Sequence, residues 1–403
     1  MNKTFWAKFF AVFLILSGVC VGVYASFIAS ANVDKNLVFS NRTLLSGLWD
    51  NYKKVYWEKK TGRTLDKQQN NITTSEGQSY TMLRAVWQSD RATFDKSWSW
   101  TKENLDRPDD ALFAWRWGEK SDGTYGILRD EGGQNTASDA DSDIALALAM
   151  AGTKWQHQPY ITEARAIIRD IYKLEVVTVA GVPYLTANNL EKNSQNDAII
   201  NPSYFAPYAY RVFAKLDTSN DWGALVTSSY DIINKSMEMK LDKNTSAGIV
   251  PNWISLDKET GEIAAAENEM LNTDYGFDAI RTPFRLALDY QWNNEPRAKE
   301  TLTNMSFLGK QWQKNNKLFA IYAHDGTVVA NYEVAEMYAT SLGYFMMTDP
   351  ATAAVVYDTK LKPLYNQNKN SWTNEMTYYG DNWTWFGIAL YDNKLDNITK
   401  DLR

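Results

Sequence analysis

Apolar residues recur along this chain mostly three and four positions apart and seldom in alternation, a spacing that predicts helices rather than strands. Leu44, Leu45, Leu48, Trp49 and Tyr52 share one helical face, as do Tyr80, Leu83 and Trp87, and again Phe94, Trp98 and Thr101. The same period predicts helices over 138 to 155, Ile161 to Tyr172, Tyr204 to Leu216, Trp222 to Met239 and Phe284 to Trp292. It continues over Ala298 to Gln313, Glu333 to Met347, Ala351 to Tyr365 and Trp383 to Tyr391, which makes about twelve helices. Turn-rich stretches such as Ser121-Asp122-Gly123 and Asp257-Lys258-Glu259-Thr260-Gly261 separate them. Val176 to Val179 with Gly181 to Leu185 alternates instead and predicts a small peripheral hairpin. An even series of similar helices without heptads suits paired helices in a closed ring. No linker or shift in composition divides residues 32–403, so they form a single expected domain.

The first residues depart from this pattern. Lys3 and Lys8 precede an uncharged apolar run, residues 9–31, which predicts export with the N-terminus inside. Residues 1–31 are expected to be an export signal cut at Ala29-Ser30-Ala31 or a retained membrane anchor, and the length of the run favours the anchor. Either route places the body outside the cell or at its surface. The one cysteine, Cys20, lies inside this run, so the exported body has no internal disulfide.

Composition narrows the chemistry. A net charge of −6 without a clustered Lys/Arg stretch excludes a nucleic-acid partner. Sixteen Trp, 23 Tyr and 16 Phe exceed the usual needs of a core this size, and their flat faces suit stacking on sugar rings as well as burial. Only two histidines are present, His157 and His324, and neither has the company that a triad or a histidine metal site requires. No metal or other cofactor is expected. Carboxylates remain.

The run Ala137-Ser138-Asp139-Ala140-Asp141-Ser142-Asp143-Ile144 opens a helix with three acids, with Ser138 as the expected cap. Asp139 and Asp143, four apart, share a face and repel unless something positive or polar stands between them. Ser75-x-x-Gln78 has the form of a capping box, which puts Glu76 at the first helical position. Asp278 stands five residues before Pro283, hence at or just before a helix start. If alternating helices start at one end of a ring, these acids converge there. A helix start favours the carboxylate, so a proton-holding Glu76 needs burial and an ionised neighbour such as Asp139 to raise its pKa. Arg281, one turn beyond Asp278, is placed to keep that acid ionised and to orient it.

Ala137 to Trp155, with its Ala-Ser-Asp-Ala-Asp opening, resembles the signature of glycoside hydrolase family 8. Ser75 to Leu83 resembles the segment in which that family carries its general acid, and Asp278-Ala279-Ile280-Arg281-Thr282-Pro283 the one that carries its base. Asn201 to Pro207 and Ala114 to Gly118 also resemble family segments, so the similarity spans residues 35 to 395. Thr81 departs from the glycine common there. The resemblance implies an all-α (α/α)6 barrel and hydrolysis with inversion, Glu76 acting as acid and Asp278 as base, with Asp139 catalytic or gripping the sugar at the cleavage site. An inverting pair stands ~6.5 to 9.5 Å apart to admit a water. The implied substrate is a β-1,4-linked glucan or a related polysaccharide, cut internally. Trp117 and Tyr204 are the expected stacking residues, Arg281 and Tyr378 further substrate contacts, and Tyr379, Trp383 and Trp385 an expected extension of the cleft. Two other classes stay open: a catalytically silent polysaccharide-binding surface protein, and a polysaccharide lyase on a similar barrel.

Overall fold

The computed structural model describes residues 37–242, 245–268 and 270–402. The expected export or anchor segment, with Cys20, lies outside the described residues. The chain divides into two compact units, Met1–Gly47 and Leu48–Arg403. A first helix, α1 (Leu37–Val55), begins in the first unit, and every other described element belongs to the second. None of the described helices is long and apolar enough to cross a membrane.

Six helices form an inner ring: α2 (Ser75–Trp87), α4 (Ser138–Lys154), α6 (Pro207–Leu216), α8 (Arg281–Asn293), α11 (Ala335–Thr348) and α13 (Tyr378–Tyr391). Each packs on the next in that order, and α13 returns to α2, which closes the ring. Outside it lie α3 (Arg91–Asn104), α5 (Gln158–Glu175), α7 (Trp222–Glu238), α9 (Pro296–Asn304), α10 (Phe307–Asn315) and α12 (Pro350–Val356). This is the (α/α)6 arrangement that the family resemblance implies. The inner helices are apolar around most of their circumference because they are covered on both sides; in α4 every residue from Ser138 to Gly152 is buried.

The two ends of the barrel differ. Connections leaving inner helices are short: residues 88–90, 155–157, 217–221, 294–295 and Asp349 alone. Connections entering inner helices are long, and all the small antiparallel sheets lie in them. β1 (Thr73–Thr74), β2 (Arg116–Glu119) and β3 (Tyr125–Ile127) form one sheet, and β6 (Asp197–Ile200), β7 (Ile254–Asp257) and β8 (Ile263–Ala264) another. The expected hairpin is present as β4 (Val176–Val179) and β5 (Val182–Leu185), turning through Ala180 and Gly181 at φ 50° and 82°. β9 (Ile321–Tyr322) pairs with β10 (Val328–Ala330), and β11 (Tyr365–Asn366) with β12 (Ser371–Trp372). The single hairpin therefore understates the strand content. Long excursions at one end only leave that end, where inner helices begin, free to carry a site.

Two further expectations change. The stretch from Ala298 to Gln313 breaks at Met305-Ser306 into α9 and α10, and the stretch from Ala351 closes its helix at Val356 before a wider π turn over Tyr357–Leu361. Thr81, the departure from glycine, is accommodated by hydroxyl bonds to Tyr52 Oη and Thr64 Oγ1, both 2.7 Å.

Glycines set the closest helix approaches in the ring. A Cβ on Gly387 of α13 would sit 2.2 Å from the Ala339 carbonyl oxygen of α11, and one on Gly343 of α11 would sit 2.4 Å from that of Pro283 in α8. Backbone cannot step aside as a flexible side chain can. G387A and G343A are each expected to cost ~1–3 kcal/mol, seen as a lower urea midpoint at unchanged slope. G223A on the outer α7, where the new Cβ would meet only an aspartate side chain at 3.3 Å, should leave the midpoint nearly unmoved.

Candidate active site

β1 leads directly into α2. The cap is Thr74 rather than Ser75: its Oγ1 accepts from the Gly77 amide at 3.0 Å, which shifts the expected capping box by one residue and puts Glu76 at the second helical position. Gln78 is turned away, accepting from the Thr64 amide at 2.6 Å and donating to Thr101 Oγ1 at 2.9 Å. The α4 cap also moves, to Ala137, which has no capping side chain, because Ser138 Oγ donates to the Thr186 carbonyl at 2.6 Å instead.

Arg281 opens α8 and is 1% exposed. Its Nη1 donates to Asp139 Oδ2 at 2.9 Å and to Glu76 Oε2 at 3.3 Å, and its Nη2 donates to Asp278 Oδ1 at 2.6 Å. One guanidinium therefore gathers all three expected carboxylates. Its Nε is held by Ser203 Oγ and by the Asp278 carbonyl, both at 3.1 Å, and Asn201 Oδ1 accepts from Ser203 Oγ at 2.7 Å. The turn carrying Asp278 is fixed from below, where Asn252 Oδ1 accepts from the amides of Gly276 and Ala279 at 3.2 and 2.9 Å.

The three acids differ in access and protonation. The Glu76 and Asp278 side chains are 22% and 31% exposed, that of Asp139 only 3%. Burial, followed by the nearby Asp139 charge, raises the Glu76 pKa to about 7 against the pull of Arg281 and of a 2.7 Å hydrogen bond from Tyr378 Oη to Oε1. The helix start is thus overruled at Glu76. For Asp278, burial raises the pKa above the ordinary value, while Arg281, Asn201 and Trp253 oppose it. Arg281 orients Asp278 as expected, but burial outweighs the cation's effect on its proton.

Asp139 and Asp143 solve their repulsion separately. Arg285, one turn beyond Arg281, donates from Nη1 and Nη2 to the two oxygens of Asp143 at 3.1 and 2.9 Å, and from Nη1 to Tyr208 Oη at 2.8 Å. Two arginines four apart on α8 thus meet two aspartates four apart on α4. That matching period is the signal in the sequence that marks Arg285 as a partner.

The structure brings Glu76, Asp139, Asp278, Arg281, Tyr204 and Tyr378 together. The Tyr204 ring centroid lies 4.9 Å from the Arg281 guanidinium, and Tyr378 is on Glu76. Trp117 stands apart on β2, half-buried, with Arg63 over its ring at 5.0 Å, Trp100 edge-on at 5.1 Å and exposed Tyr125 beside it at 5.5 Å. Trp383 and Trp385 are 2% and 0% exposed and belong to the core, not to a cleft: inner-helix residues 383 and 385 face packed neighbours. Of that group only Tyr379 reaches the site, donating from Oη to the Phe277 carbonyl. Asn201, Asn252, Ser203 and Trp253 support the cluster without any periodic signal to announce them. Among the described residues no group of His, Cys, Asp or Glu is arranged to hold a metal ion; His324 is buried with Nε2 on the Met239 carbonyl at 2.9 Å, and His157 lies against Tyr160.

Known proteins share this chain's sequence pattern and fold. The model of glycosyl hydrolases family 8 matches residues 13–394. The endoglucanase of Escherichia coli (strain K12) is 30% identical over 276 residues, covering 66% of this chain and 68% of its own length. Among solved structures, an endo-1,4-D-glucanase from Vibrio fischeri ES114 superposes with a TM-score of 0.71 at 24% identity over 86% of this chain and 94% of that one. A β-1,3-1,4-glucanase from Paenibacillus sp. X4 gives 0.73 at 22% over 90% and 94%. With the match running through every segment that supplies a carboxylate to Arg281, the chain belongs to family 8 of the glycosyl hydrolases and is an endoglucanase-like glycoside hydrolase.

Proposed function

We propose that this protein cuts internal β-1,4 bonds of a glucan or related polysaccharide with inversion, Glu76 serving as general acid and Asp278 as general base. The observation that carries the reading is the single Arg281 guanidinium shared by three carboxylates, of which Glu76, desolvated and facing the Asp139 charge, keeps its proton up to about pH 7. Glu76 and Asp278 bond different nitrogens of that guanidinium, and an inverting pair needs a separation that admits a water.

In this reaction the Glu76 proton passes to the glycosidic oxygen as the bond from that oxygen to C1 breaks. A water on the opposite face of the sugar bonds to C1 and gives its proton to Asp278, so one sugar chain leaves as an alcohol and the other ends in an inverted hemiacetal. Tyr378 donates to Oε1 of Glu76 and Arg281 to Oε2, so the acid is held at both oxygens, more closely by the phenol. Asp139, nearly enclosed and locked on Arg281, grips the sugar at the cleavage site and sustains the Glu76 pKa by its charge. Tyr204 offers the ring face not taken by Arg281, and Trp117 with Tyr125 offers a more distant stacking platform. The endoglucanase names of the relatives support glucan as the substrate. We place the enzyme outside the cell or at its surface on the strength of the apolar run of residues 9–31.

Three outcomes test the proposal. On soluble glucans the wild type should release new reducing ends, initially as the α-anomer by NMR, with E76Q and D278N slower by ~100-fold or more; binding without cleavage would favour a silent binding protein, and an unsaturated, ultraviolet-absorbing product a lyase. The pH profile of kcat/KM should fall on its alkaline side near pH 7 as Glu76 loses its proton, and on its acid side as Asp278 gains one. Because the Tyr378 bond lowers the Glu76 pKa and the Asp139 charge raises it, Y378F should move the alkaline limb to higher pH and D139N to lower pH. Movement of both limbs in the same direction would remove Glu76 from the role of acid.

A further inference from the structure

Asp141, between Asp139 and Asp143 in sequence, faces the other side of α4 and takes no part in the arginine network. It is 0% exposed, as is Glu175 at the end of α5. Asp141 Oδ1 accepts from the Phe113 amide at 3.0 Å, and Glu175 Oε1 accepts from Thr136 Oγ1 at 2.5 Å. The remaining oxygens, Asp141 Oδ2 and Glu175 Oε2, are buried with no hydrogen-bond donor, and the two carboxyls are near enough for each to act on the other's proton. Two carboxylates cannot share a hydrogen bond without a hydrogen, and two adjacent buried anions are prohibitively costly. The charged groups that face the pair do not supply one. Arg107, from the segment after α3, gives its donors to Asp110 and to the Gln134 carbonyl, and Asp139, on α4 itself, adds negative charge.

We infer that Asp141 and Glu175 hold one proton between them, Asp141 donating and Glu175 accepting, and that this neutral-acid bond positions the start of α4 and therefore Asp139. The bond joins four segments at the site end of the barrel: the Phe113 segment, Thr136 ahead of α4, α4, and the α5 terminus. From there the Glu175 carbonyl accepts from the Thr186 amide at 2.8 Å, and Ser138 bonds back to Thr186. Asp139 is the residue between Ser138 and the next turn, so whatever holds this joint sets how Asp139 meets Arg281. Both are positioning residues: neither touches the cleft.

Electrostatics agrees with the geometry. Burial, first, and the Glu175 charge raise Asp141 well above its ordinary value, and burial raises Glu175 despite Thr136 and Asp141, so the pair keeps a proton where free carboxyls have lost theirs. A folded-state pKa raised above the unfolded value stabilises fully below the unfolded value and is lost as pH rises through the folded one. Stability from this pair should thus decline as pH rises above the ordinary carboxylate range.

The test is a substitution series on the full chain, D141N, E175Q and D141A, with thermal midpoints followed from pH ~5 to ~9 and kcat and KM on cellohexaose measured well below each midpoint. The side-chain amide introduced by D141N would reproduce the donated hydrogen without titrating. D141N is therefore expected to match the wild type near pH 5, to gain on it steadily toward pH 8, and to keep kcat/KM within about twofold. E175Q should show the same gain with pH. D141A, which orphans the Phe113 amide and Glu175, should lose stability throughout and, while still folded, lose about tenfold or more in kcat/KM. A D141N midpoint lowered as far as that of D141A, or a difference between D141N and wild type that does not change with pH, would overturn the shared proton; a folded D141A with full kcat/KM would overturn the positioning role. The activity arm rests on the proposed hydrolysis. A wild type that leaves cellohexaose uncut would sink that reading, and the midpoint series would still decide whether the proton is shared.

Discussion

The arrangement depends on one cation held where little water reaches it. Arg281 stands 1% exposed at the mouth of a ring of helices, with three carboxylates within hydrogen-bonding distance of two of its nitrogens. One positive charge cannot balance three negative ones in poorly solvated space, so the cluster is under electrostatic pressure to keep a proton. Differences in surroundings decide where it stays. Asp139 has the tightest hold on Nη1 together with the Ala140 amide at 2.8 Å, and Asp278 has Nη2 with Asn201 and Trp253 at its side. Glu76 has the longest bond to the arginine and one neutral phenol. The proposed division into a proton-holding acid and a proton-accepting base rests on one ion and three unequal environments.

The barrel makes that concentration of charge possible. Its inner helices start at the same end, and long excursions on that end alone bring Ser203, Asn252 and the Asp278 turn over the helix starts. α4 and α8 are separated in the ring by α6, so only side chains as long as arginine can join them, and the Arg281 and Arg285 pairs do so one turn apart. Glycines 343 and 387 let α8, α11 and α13 approach to backbone contact, which fixes the distance between Arg281 on α8 and Tyr378 on α13. The stability of the ring and the geometry of the site are set by the same contacts.

Helices are legible in the sequence because a buried face repeats at 3.6 residues whatever lies around it. Their ends are less so. Both Thr74 and Ser75 can cap a helix, and the extended backbone that Thr74 takes in pairing with Arg116 decides which of them does, while at α4 the Thr186 carbonyl takes Ser138. Strands of two to four residues are too short to alternate visibly, so the sheets that build the site end leave no pattern apart from one hairpin with a left-handed turn. Tryptophans 383 and 385 look alike in cleft and core, and apolar area alone cannot tell the two apart. The acids are legible through family motifs, whereas Asn201 and Asn252 act by capping turns at single positions, which leaves no period to read.

The acidic opening of α4 shows how far local rules carry. A helix dipole offers each acid in the first turn a modest, screened stabilisation, too small to keep three of them ionised and buried. The structure leaves none of the three to the dipole. Asp139 is matched by Arg281 at the cleft, Asp143 by Arg285 one turn deeper, and Asp141, pointing the opposite way, by the carboxyl of Glu175. Each answer suits its depth. Nearest the cleft Asp139 shares its cation with Glu76 and Asp278, deeper in the ring a bidentate pair takes both oxygens of Asp143, and on the outer face, where Arg107 has given its donors elsewhere, only a proton is small enough to resolve the conflict.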